Sequence, residues 1–89
     1  MANVVQLEEG ISVVLDVTPT WWRRAARIGV VAQATEVALR IGFVVEVTAS
    51  WQNVMVKLRV PSDTSLQMLC EKRDAVLAEI EKIGASRDD

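Results

Sequence analysis

The sequence predicts an α+β fold: a two-layer sandwich in the order ββαββα, with a four-stranded antiparallel sheet and two helices on one of its faces. Three observations carry this reading. Short runs such as "FVVEVTA" and "NVMVKLRV" alternate in the period-two pattern of strands, whereas 20–41 and 66–83 repeat apolar residues at helical spacing. Gly10, Pro19, Gly42 and Pro61 stand at the junctions between these runs, where turns and helix ends favour them.

The chain opens with "VVQL-EEG-ISVVLDV", which reads as two strands, the first over Val4–Leu7, joined by a short turn at Gly10. In the second strand Ile11, Val13, Leu15 and Val17 share one face, and Ser12, Val14 and Asp16 share the other. Thr18-Pro19 starts the first helix, with Thr18 or Thr20 as its cap. From there to Ile41 nothing breaks the helix except Gly29, and Gly42 supplies the left-handed residue that ends it. In the third strand Phe43, Val45, Val47, Ala49 and Trp51 oppose Val44, Glu46, Thr48 and Ser50. The fourth strand alternates Val54, Val56, Leu58 and Val60 with Met55, Lys57 and Arg59, after a short hairpin turn. "SDTS" then caps the last helix, with Thr64 and Gln67 spaced as a capping box. Its apolar stripe is Leu66, Leu69, Cys70, Val76, Leu77, Ile80 and Ile83. The domain spans 1–84, and 85–89 is read as a flexible tail.

A right-handed crossover makes the Ile11 and Phe43 strands parallel, with the Val54 strand able to fit between them. The topology resembles a ferredoxin-like sandwich whose last strand has moved to the N-terminus, a resemblance that implies no function because such folds host many.

Composition narrows the functions. Of the 89 residues 51% are hydrophobic, more apolar side chain than so small a globule readily hides, so the excess predicts a partner and most simply a second copy. The net charge of −2 gives no global attraction for nucleic acid or anionic membranes. Arg27, Glu36, Arg40 and Glu46 interrupt the most apolar region, so no membrane span is expected. The acids of "MANVVQLEEG" do not suit a signal peptide, and the lone Cys70 fits a reducing compartment: the expected location is cytoplasmic. The absence of histidine removes the commonest general base and metal ligand, and Ser12, Ser50 and Ser65 have no histidine to activate them. With a single cysteine no metal site is expected, and no cofactor; Cys70 reads as an inert core thiol.

Candidate functional residues cluster on the first helix. Trp21, Ala25, Ile28, Ala32, Thr35 and Leu39 form one stripe, read as the face lying on the sheet. Ala26, Val30, Ala34, Val37 and Ile41 form a second on nearly the opposite side, covered either by the second helix and chain ends or by another subunit; the oligomer interface is assigned here. On this phase Trp21 is buried and Trp22 is a surface residue beside Arg23. Arg23, Arg24 and Arg27 occupy the positive end of the helix dipole, where acids are favoured, so they need compensation from solvent or an internal acid, from a protein partner, or from phosphate. Trp22, Arg23, Arg24 and Arg27 are the candidate partner-binding residues. Arg73 interrupts the stripe of the last helix and either snorkels to water, pairs with Glu36, or anchors a ligand. The open sheet face, Ser12, Val14, Asp16, Val44, Glu46, Thr48, Met55, Lys57 and Arg59, has no aromatic on which a nucleic-acid base would stack.

The expected function is therefore a small, non-enzymatic, homo-oligomeric interaction module. One rival is a nucleic-acid-binding regulator that uses "WWRR". Another is a ligand-binding protein or cofactor-independent enzyme with a pocket between sheet and helices, lined by Arg73, Glu36 or Trp51.

Overall fold

The computed structural model describes the backbone of residues 10–87 and the side chains of 10–84. Among them the order is β1 (Gly10–Asp16), α1 (Trp22–Ala25), α2 (Ile28–Leu39), β2 (Val44–Ala49), β3 (Val54–Pro61) and α3 (Leu66–Arg87). The fold is α+β, but the expected four-stranded sheet with two helices is corrected to three antiparallel strands and three helices. The strand predicted over Val4–Leu7 lies outside the described residues, and the ferredoxin-like resemblance is not sustained. The sheet order is β1-β3-β2, with β3 antiparallel to both neighbours.

β3 is the centre of the structure because its alternation is regular. Val54, Val56, Leu58 and Val60 are buried on one face, and each such side chain stabilises the fold by ~1.5–3 kcal/mol. Val54 and Val56 pack in one core cluster with Val17, Trp22, Val30, Ala34, Ala38, Val76, Ile80 and Ile83, so that helices cover this face of the sheet among the described residues. β1 pairs with β3 without interruption from Gly10↔Pro61 to Asp16↔Met55. Beyond it Val17 N–H donates to Val54 C=O at 2.9 Å, and the Thr18 hydroxyl accepts the Val54 N–H at 2.8 Å. Thr18, expected as a helix cap, thus closes the sheet instead.

β2 departs from the expected alternation. Val44 pairs with Leu58 and Glu46 with Lys57, so Val45 is an extra residue. The bulge turns Val44 and Val47 to the same, covered side and leaves Phe43 and Val45 exposed. Val45 therefore replaces Val44 on the open face, beside the Glu46–Lys57 ion pair of 3.0 Å. The turn before β2 is also displaced by one residue. Val44 N–H donates to Ile41 C=O at 3.2 Å, and the left-handed position is Phe43 (φ 77°), not Gly42. Its ring lies under the Lys72 ammonium, 3.8 Å from the centroid.

α3 is capped by Ser65, whose Oγ accepts the Met68 N–H at 3.1 Å. Thr64, predicted to cap, donates its hydroxyl to Pro61 C=O at 2.6 Å. The helix passes through Gly84 to Arg87, so the residues read as the start of a loose tail continue it.

Candidate interaction surface

The predicted single first helix is two helices. Ala26 (ψ 118°) and Arg27 (φ −139°, ψ 172°) are extended, separating the four residues of α1 from the twelve of α2. In an unbroken helix, at about 100° per residue, Trp22 would point roughly 120° away from the centre of the Val30–Ala34–Ala38 face. The break allows both to be buried. Trp22 is 0% exposed, and its Nε1–H donates to Ser50 C=O at 2.6 Å.

This break reverses the two tryptophans. Trp22, assigned to partner binding, is a core anchor and is corrected to that role. Trp21, expected in the core, is half-buried against α3, where its Nε1–H donates to Glu81 at 3.1 Å. The two rings touch at a centroid distance of 5.7 Å.

The two stripes are reversed as well. Val30 and Ala34, assigned to an oligomer interface, are fully buried in the chain's own core, with Ala26, Val37 and Ile41 packed against its edge. α2 presents that side to β2 and α3. The stripe expected to lie on the sheet is outside: Ile28 is 90% exposed, Leu39 is 49% exposed, and Ala32 is exposed between them. Periodicity detects both stripes, but only their packing partners distinguish in from out.

Arg23, Arg24 and Arg27, which precede this strip in sequence, are all exposed. Among the described residues none has an acid within 4.0 Å. Because the helix breaks, Arg23 and Arg24 belong to the single turn of α1 and no longer stand at the N-terminus of a long helix, so the dipole penalty expected for them is removed. Arg27 remains at the N-cap of α2, whose first turn contains no acid. Three exposed arginines thus lie within five residues before the exposed Ile28.

The other predicted site residues do not converge. Glu36 pairs with Arg40 at 3.7 Å, both exposed. Arg73 instead donates through Nε to Asp16 C=O at 3.0 Å and pairs with Asp74 at 3.3 Å, so the expected Glu36–Arg73 pair does not form. Trp51 stands at the tip of the β2–β3 hairpin, mostly exposed. None of the three lines the shallow cleft of about 350 Å³ bounded by Phe43, Pro61, Met68 and Lys72. Ser50 Oγ accepts turn N–H groups from Gln52 and Asn53, and Ser65 caps α3, giving both hydroxyls structural roles. Cys70, expected in the core, is exposed. No helix among the described residues is long and apolar enough to cross a membrane.

Sequence reasoning passed over the edge of the sheet. The inner residues of β1 are less covered than their partners on β3: Ile11 is 41% exposed, whereas Val60 opposite it is 2% exposed. Val13 and Leu15 are likewise only half-buried opposite buried Leu58 and Val56. Among the described residues the cover over β1 is thus less complete than that over β3. Asp16, at the end of that strand, accepts the Thr18 N–H at 2.8 Å. The Thr18 side chain and this N–H hold its carboxyl below the usual 3.8, and the charge of Arg73 acts in the same direction.

Comparison of the chain with protein-family models, with curated proteins and with solved structures finds no match.

Proposed function

We propose that the chain is a small, non-enzymatic interaction module that self-associates. The observation that carries this reading is the incomplete cover of β1, an edge strand among the described residues, whose inner apolar residues stay half-open while those of β3 are buried. The exposed Ile28–Ala32–Leu39 strip of α2 supports the wider role in protein contact. Light scattering of the full chain across micromolar concentrations tests the reading. A mass above one chain that falls on dilution is expected, and one chain at every concentration overturns it.

A second reading assigns Arg23, Arg24 and Arg27 to phosphate, favoured by their exposure and by the lack, among the described residues, of an acid within 4.0 Å of them. It requires binding of a labelled oligonucleotide that weakens steeply with salt and is lost on reversing the three charges. The exposed Ile28, next to Arg27 in the chain, favours a protein surface over a phosphate backbone.

A further inference from the structure

Resting on that self-association reading, we propose that two copies join edge to edge through β1, in antiparallel orientation about a two-fold axis at Val13, to make one continuous six-stranded sheet.

The backbone directions supply the first argument. Val17 N–H points into the sheet, towards Val54, and alternation along β1 turns Leu15, Val13 and Ile11 the same way. Ser12 and Val14 therefore direct their N–H and C=O groups away from β3, where no strand among the described residues receives them. Asp16 C=O also points outwards, and Arg73 takes it at 3.0 Å, closing that end of the ladder. Natural edge strands discourage pairing with proline, lysine or a bulge. β1, "GISVVLD", has none of these, and its seven-residue register is continuous.

Charge selects the occupant. Full antiparallel overlap of two β1 strands sets Val13 against itself, Ser12 against Val14, and Asp16 of one copy opposite Gly10 of the other. Gly10 is not vacant space: a β-carbon there would lie 3.0 Å from Nε of Arg59, whose side chain covers the glycine. Arg59 and Asp16 belong to the same open face, since they oppose Ser12 and Met55 respectively. The overlap thus brings Asp16 of each copy to Arg59 of the other, twice over by symmetry. Arg23, Arg24 and Arg27 lack this self-complementarity, because a two-fold axis through them would set arginines against arginines.

The test combines light scattering with amide hydrogen exchange on the full chain. Ser12 and Val14 amides are expected to be protected at concentrations where the mass is two chains and to exchange freely on dilution to one. Val14→Pro removes only an outward N–H and is expected to give one chain with its fold retained. Asp16→Arg and Arg59→Asp should each raise the dissociation constant about tenfold, and the double exchange should restore it. This charge cycle decides the matter if Val14→Pro fails to fold. A two-chain mass that survives the substitutions, with Ser12 and Val14 exchanging freely, keeps self-association and overturns the β1 seam. Protection of these amides in a one-chain species at every concentration means that the chain covers its own edge, and overturns the seam as well. A wild-type chain that never exceeds one copy, with both amides free, overturns the broader reading.

Discussion

The indole of Trp21 lies directly on Gly84, so closely that a β-carbon at that glycine would enter the ring. This contact docks the C-terminal part of α3 against the start of α1, and the Trp21–Glu81 hydrogen bond fixes the ring's position. Alanine in a helix interior is ordinarily ~1 kcal/mol better than glycine. Here overpacking, typically ~1–3 kcal/mol, opposes that gain. Gly84→Ala is therefore expected to lower the melting temperature, and Trp21→Ala in the same chain should remove the penalty. A melting temperature raised by Gly84→Ala alone would contradict the contact.

The two tryptophans should differ in the order opposite to their helical phase in an unbroken helix. Trp22→Ala is expected to cost ~3–5 kcal/mol as a core truncation, and Trp21→Ala distinctly less. Trp22→Phe keeps most of the packing but leaves Ser50 C=O without its donor, at ~1–3 kcal/mol. Urea unfolding of the three variants measures the order.

Phe43 should invert the usual ranking of alanine and glycine. Both Phe43→Ala and Phe43→Gly lose the ring contact with Lys72, so their difference isolates the backbone. At φ 77° a β-carbon is disfavoured by ~1–2 kcal/mol, and glycine is not. Phe43→Gly is expected to unfold at a higher urea concentration than Phe43→Ala; the reverse order would remove the strain from Phe43.

Asp16 should contribute an acid-sensitive part of the stability. Its folded pKa is depressed below 3.8, so the unfolded chain takes up its proton first as pH falls. The stabilisation is fully present above the unfolded value and is lost as pH drops below 3.8 through the folded value. Asp16→Asn is expected to flatten this part of the stability curve, measured by thermal melts between pH 6 and pH 2 on the scale of ordinary carboxylate titration. An unchanged acid limb would show that the Thr18 contacts do not survive in solution.

Local patterning determined much of the architecture. The alternation of Val54, Val56, Leu58 and Val60 identified the central strand, and Ile11, Val13 and Leu15 were legible as the inward row of β1. The crossover rule made the strands of Ile11 and Phe43 parallel with room for β3 between them, and β3 occupies that place in the order β1-β3-β2. Tertiary structure alone decided the site. Helical spacing identified two stripes on 20–41 but not which one faces the sheet, because both are apolar and the phase argument assumed one rigid helix. The break at Ala26–Arg27 itself holds neither proline nor glycine, and Gly29, the one helix-breaking residue of the stretch, lies inside the first turn of α2; the break lets Trp22 and Val30 be buried together on two helix axes. Likewise the Val45 bulge shifts the faces of β2 through pairing with β3, and the partial exposure of Ile11, Val13 and Leu15 depends on what packs over β1 rather than on its alternation. Short-range period fixes which residues can share a face; only long-range packing decides which face is covered.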